Sequence, residues 1–213
     1  MRRTYAIVAV LLIAVCAPLR AQDAAPPITF ESLMRSFAEL PGLSANFREE
    51  KRIALLASPL VNEGTLHFAP PRRLARHITR PARSTLLISG DSVSMGDAHA
   101  RQTLELGANP VARTFIESFV SLLAGNRAAL ERTFQTDFMS EPNRHWSLVL
   151  RPRAASVSRV LREIRVTGAE LIIERIVIAE ANGDVSTTTF SSVDTHHAYS
   201  NAEAERVFRI PGP

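Results

Sequence analysis

Thiols and stacking rings are nearly missing from this chain of 213 residues, which has one cysteine, Cys16, one tryptophan, Trp146, two tyrosines and an aromatic content of 6%. A lone cysteine excludes a disulfide framework and a thiolate-held metal within the chain. Lysine is equally scarce, since every base other than Lys51 is arginine. Proteins that grip single-stranded nucleic acid interleave a basic groove with stacking rings, whereas these arginines are scattered with few rings beside them. They read as a solvated face whose stems cover apolar surface, with anionic head groups or an acidic partner as the remaining use. No nucleic-acid partner is expected. A glycine-rich phosphate loop, a dinucleotide fingerprint, an internal repeat and a low-complexity block are absent too, so no cofactor is expected.

Apolar runs are short. Ala6 to Cys16 follows Met1-Arg2-Arg3 and precedes Leu19-Arg20-Ala21, the plan of a signal peptide over residues 1–21 and too short to span a bilayer comfortably. Leu19 is larger than the small residue usual three places before the cut. Val15 stands where a lipidated cysteine wants a small neighbour, which argues against lipidation at Cys16. With the leader gone no thiol remains, and losing Arg2, Arg3 and Arg20 from the 25 basic side chains leaves them one ahead of the 21 acidic ones. Residues 22–213 suit one domain with a substantial core, preceded by a loose arm from Asp23 to Pro27.

What is present is a succession of β-type runs from Leu43 to Gly90. Leu43, Ala45 and Phe47 alternate, as do Leu66 with Phe68, Leu74 with Ile78, and Leu86 with Ile88, so one face of each strand is apolar. Ser58-Pro59, Ala69-Pro70-Pro71, Arg80-Pro81 and Gly90-Asp91 interrupt them with connections too short for anything but antiparallel neighbours. Further strands are predicted over Phe134 to Met139, His145 to Leu150, Val160 to Val166, Glu170 to Glu180 and Val185 to Phe190. Asn182-Gly183 marks a hairpin between the last two. Two amphipathic helices can cover the apolar face: Phe30 to Leu40, capped by Thr29 and ended by Pro41-Gly42, and Pro110 to Ala124, ended by Gly125-Asn126. The class is α+β, a single curved antiparallel sheet covered by helices.

The order of these elements resembles the outer-membrane lipoprotein carrier family, LolA. Its marks are a leader, a helix, Ser44 to Phe47 opening a strand, Gly64 to Leu66, a proline-rich turn, Pro81, Leu86 to Asp91, and a helix led by Pro110. The resemblance spans nearly all of residues 22–213. It implies an incomplete barrel around an apolar cavity that holds acyl chains in the periplasm. An acylated lipoprotein or other lipid would be the cargo. An inner-membrane exporter and an outer-membrane acceptor would be the partners, and the carrier a monomer without enzymatic activity.

Candidate cavity residues are Phe47, Leu66, Phe68, Leu74, Ile78, Leu86, Ile88, Met95, Phe115, Phe119, Trp146 and Leu148, with Pro110 to Ala124 as lid and Phe115 and Phe119 facing inward. Family carriers place an arginine before the proline of the turn after the second strand to hold the lid. Here Pro70 occupies that place, with Arg72 and Arg73 just beyond. This and the few rings set the chain in a divergent branch, leaving a polyene or glycolipid ester open as cargo. A lipid-sensing regulator on the same sheet is the alternative; such regulators carry a further C-terminal domain, whereas this chain ends soon after Phe208-Arg209-Ile210-Pro211.

One decoy has catalytic chemistry. Gly90-Asp91-Ser92-Val93 is similar to the serine block of a family of esterases, with Ser92 as nucleophile, His197 as base and Asp194 as orienter. Against it, the block lies between apparent hairpin strands, repeated strand–helix units are missing, and such esterases carry the serine near the mature N-terminus. His67, His77, His99 and His145 are scattered, and His196 and His197 would point apart on a strand, so no metal site is expected. Glu49-Glu50 and Glu203 with Glu205 read as solvated pairs.

Overall fold

The computed structural model describes residues 26–97, 99–105 and 110–210. Its frame is one antiparallel sheet built from two meanders. The first contains β1 (Leu43–Arg52), β2 (Leu60–Ala69), β3 (Arg73–Arg80), β4 (Ser84–Ser89), β5 (Ser92–Gly96) and β6 (Arg101–Glu105). The second contains β7 (Phe134–Ser140), β8 (His145–Pro152), β9 (Leu161–Ala169), β10 (Ile172–Glu180) and β11 (Val185–Asp194). Their order is β6-β5-β4-β3-β2-β1-β11-β10-β9-β8-β7, so the meanders join where Phe47 of β1 lies opposite Phe190 of β11. The edge strands β6 and β7 do not meet, and the barrel stays open between them.

The chain crosses that gap on the concave side through α2 (Pro110–Leu123) and α3 (Arg127–Thr133). Before the sheet comes α1 (Phe30–Ala38), where Thr29 and Ser32 cap each other's backbone in a capping box. The predicted N-terminal helix forms, two residues shorter than its sequence pattern. A single turn, α4 (Ala155–Ser158), links β8 to β9, and α5 (Asn201–Val207), capped by Ser200, follows β11. Among the described residues no helix is long and apolar enough to cross a membrane. The expected leader, residues 1–21, lies outside the described residues.

One end of the barrel is solid. There α1 buries Leu33, Met34 and Phe37 against the lower sheet, where Phe68, Trp146 and Leu148 are at most 1% exposed. Phe37 meets the Trp146 ring edge-on at 6.5 Å and Phe138 stacks on it at 6.3 Å, while its Nε1 donates to the Glu170 carbonyl at 2.9 Å. Gly168 makes room for this ring: a Cβ there would lie 2.7 Å from it.

The Asn182-Gly183 hairpin forms with different geometry from a two-residue turn. Gly183 alone adopts a left-handed backbone, φ 93°, and Gly183 N–H donates to the Glu180 carbonyl at 3.2 Å, a four-residue turn whose last residue is the left-handed glycine. Asn182 instead turns its side chain to accept from Asp184 N–H at 3.0 Å.

Candidate functional site

Above the solid end the two layers separate. A cavity of about 200 Å³ lies between the concave sheet and α2. Phe47, Leu66, Leu74, Leu86 and Ile88 line it from β1–β4, Leu150, Ile164, Val166, Ile176, Ile178 and Phe190 from β8–β11, and Phe115, Ile116, Phe119 and Leu122 from the helix. Two-residue periodicity on the strands and 3.6-residue periodicity on α2 bring these side chains to one volume. Ser118 and Thr188 add hydroxyls, and Ser118 already donates to its own helix at Phe115 O, 2.7 Å.

Arg76 is the one charged side chain among the described residues of the lining. Its Nη2 donates to Glu49 Oε2 at 2.8 Å, and its guanidinium lies 4.3 Å from the Phe47 ring centroid. Asn62 also donates to Glu49, at 2.9 Å, so that carboxylate is a bonded member of the cavity throat and not a solvated one as its sequence context suggests. Past Arg76 and Leu86, which both spaces share, an outer hollow of about 340 Å³ runs along β3–β6 to the open end.

The family model for outer membrane lipoprotein carrier protein LolA-like proteins matches residues 23–209. The chain belongs to this family. A structure similar to this LolA-like chain is a putative outer membrane lipoprotein-sorting protein domain from Vibrio parahaemolyticus, 7% identical, covering 84% of this chain and 97% of that one with a TM-score of 0.51. A LolA superfamily protein from Nitrosomonas europaea is 14% identical over 85% of this chain and 98% of that one, TM-score 0.47. MucB in complex with MucA(peri) is 9% identical over 81% and 57% of the two chains, TM-score 0.45. No curated protein matches the sequence.

Within the LolA-like frame the residues singled out from sequence separate into three groups. Phe47, Leu66, Leu74, Leu86, Ile88, Phe115 and Phe119 line the cavity. Ile78 and Met95 line the outer hollow. Phe68, Trp146 and Leu148 belong to the packed end, each at most 1% exposed, with Phe37 of α1 and Phe138 against the Trp146 ring. Missed from sequence were Ile116, Leu122 and the β8–β11 contribution. The signal was the same alternation that pointed to Trp146 and Leu148, carried one step further to Leu150 and across the sheet to Ile164 and Ile178.

Of the two arginines after Pro70-Pro71, Arg72 approaches α2. Its Nη2 lies 3.5 Å from Asp91 and 4.0 Å from Glu117 on α2, which Arg113 also holds at 2.9 Å. Arg73 points to the convex face and stacks 4.5 Å over Phe208.

That convex face holds the polar cluster of the molecule. His67 Nδ1 is 3.0 Å from the Tyr199 hydroxyl, which donates to Leu43 O at 2.8 Å, and His77 Nε2 donates to Val207 O at 2.9 Å. These histidines, ten positions apart in sequence, sit on adjacent strands with ring centroids 5.7 Å apart. Burial, helped by the neighbouring His77 and His197, pushes the His67 pKa down to about 4, and burial lowers that of His77 as well. Both rings are therefore neutral near pH 7.

The esterase constellation does not assemble. His197 bonds Asp194 at 3.3 Å and Glu203 at 2.9 Å beside β11, while Ser92 donates its hydroxyl to Ser89 O at 3.1 Å in the β4–β5 turn. Strands β1 to β4 lie between the two. His196 and His197 follow β11 instead of lying in a strand, and no group of metal-ligating side chains forms among the described residues.

Proposed function

We propose that this LolA-like chain is a periplasmic carrier that holds the acyl chains of a lipoprotein or other lipid in the cavity beneath α2 and moves them from the inner toward the outer membrane. The observation that carries this reading is a hollow with an almost wholly apolar lining, kept open between two layers that are densely packed elsewhere. Protein interiors leave few such voids, and one lined in this way excludes water and favours hydrocarbon. A chain of ~16 carbons loses roughly 13 kcal/mol of hydrophobic stabilisation when exposed to water, at about 0.8 kcal/mol per methylene, and the cavity supplies the compensation.

The space in this structure is smaller than the ~300–1,000 Å³ of typical ligand pockets, so a long chain enters only if a wall moves. α2 is the wall suited to moving, because it meets the sheet through side chains across the hollow whereas the strands are held by backbone ladders. Closure over an empty site exchanges ligand contact for internal contact, which keeps affinity low enough for release. Residues 1–21 are the leader that exports the protein, and residues 22–213 are the carrier domain.

The assignment is tested by titrating the protein with a fluorescent fatty acid. Phe119→Asp, which places a carboxylate at the cavity roof, is expected to lower affinity by more than about tenfold. Unchanged affinity would remove α2 from the site.

A further inference from the structure

Exposed leucines gather at the open end of the barrel. Leu55 is 94% exposed, Leu56 48% and Leu60 49%, all on or beside the connection between β1 and β2. Val160 and Met95, each 41% exposed, lie on the same rim, ahead of β9 and near the end of β5. The β1–β2 tip is braced: Asp184 accepts from Ala54 N–H at 3.0 Å, Leu56 N–H reaches Ile53 O at 2.9 Å, and Lys51 at its root bonds Glu180 at 2.9 Å. The turn holds Leu55 out in water, and clustered exposure of this kind marks a contact surface.

Charge on the rim is one-sided. Most of its acids face a base, Glu50 with Arg48 and Arg52, Glu63 with Arg80, Glu163 with Arg151 and Arg165, and Glu180 with Lys51, while Asp97 and Asp184 accept from backbone N–H groups and keep their charge. Arg83, Arg159 and Arg162 are exposed there with no ion pair or side-chain hydrogen bond among the described residues. An apolar tip among uncompensated guanidinium groups suits an anionic bilayer, where leucine enters the boundary between head groups and acyl chains while arginine meets phosphate. A stable protein interface would need a broader apolar centre than this narrow tip.

The cavity opens toward the same end. It shares Arg76 and Leu86 with the outer hollow, which continues to Met95, Asp97 and Arg101 at the rim. We propose that the β1–β2 tip, with Arg83, Arg159 and Arg162 around it, docks the protein on an anionic phospholipid bilayer with the cavity mouth toward the lipid. An acyl chain then passes between bilayer and cavity with little exposure to water. The purpose of docking rests on the carrier reading above, whereas the docking itself needs no cargo.

The test sediments protein purified from the periplasm with vesicles of phosphatidylglycerol and phosphatidylethanolamine, or of phosphatidylcholine alone, and measures fluorescent fatty-acid binding separately without vesicles. Co-sedimentation with the phosphatidylglycerol vesicles is expected, falling by about tenfold or more in the double variant Leu55→Asp, Leu56→Asp and several-fold in Arg83→Glu, Arg162→Glu. Fatty-acid affinity should be unchanged in both variants. Failure of the parent protein to sediment, or undiminished sedimentation of the leucine variant, overturns the docking surface and leaves the carrier reading standing. Vesicle binding by a parent protein that takes up no fatty acid overturns the carrier reading and leaves docking in place. Binding only to cell membranes, abolished by protease treatment of those membranes, assigns the rim to a membrane protein and overturns the lipid proposal.

Discussion

The two faces of β2 and β3 come from alternate residues of the same strands, yet they are finished in opposite ways. Inward, Leu66, Leu74 and Arg76 face a hollow that no side chain fills. Outward, His67, Ala75 and His77 lie beneath the segment after β11, which is fastened by Tyr199 to Leu43 O, by Val207 O to His77, and by Ile210 O to Arg101 at 2.7 Å. Directional bonds to fixed backbone groups rigidify, while apolar contact across a void leaves the facing element free to shift. On the carrier proposal, the outer face is the fixed wall and α2 the part that responds to cargo.

The sharpest contrast is between the solid end and the hollow. Trp146→Ala removes a fully packed ring and is expected to cost about 3–5 kcal/mol of unfolding free energy, read from a denaturant titration. Thr188→Phe, which extends a ring into the cavity, should leave stability within about 1.5 kcal/mol of the parent while lowering acyl-chain affinity roughly tenfold. If Thr188→Phe were as destabilising as Trp146→Ala, the hollow would be packed core and the distinction between the two regions would fall.

The outer face is probed by pH. His67 and His77 are held below the ordinary value of 6.5, so the neutral rings contribute stability that is fully present above pH 6.5 and lost as pH falls toward 4, because the unfolded chain takes up the protons first. The denaturation midpoint should drop across that window, and His67→Asn should flatten the drop. Acyl-chain affinity at fixed stability should follow the window far less, since neither ring lines the cavity. The smallest effect belongs to Arg72→Ala. Its 4.0 Å approach to Glu117 is long and partly solvated, so release of bound fatty acid should quicken by no more than about fivefold, an ion pair of about 1 kcal/mol or less.

Much of the fold was legible in the sequence. Alternation in Leu43 to Phe47 and in Leu86 to Ile88 marked strands, and proline and glycine marked their ends. The cavity was legible only in part. Periodicity reports which face a residue takes but not how far along the strand the covering helix lifts away. Trp146, Leu148 and Leu150 therefore look alike in sequence, while the first two are packed in the solid end and only Leu150 of the three reaches the hollow. Pairing across the sheet was equally hidden. Thr65 lies opposite His77, which sets His67 and His77 diagonally together although they are distant in sequence, and the throat pair of Arg76 with Glu49 spans three strands. Short helices such as Arg127–Thr133 and Asn201–Val207 gave too few turns for a periodic signal.

Native mass spectrometry of the protein released gently from the periplasm tests the central claim most directly. One acyl-bearing molecule per chain, absent from the Phe119→Asp variant, is the predicted result. A parent protein that emerges with nothing bound, and takes up no lipid when lipid is supplied, would contradict it.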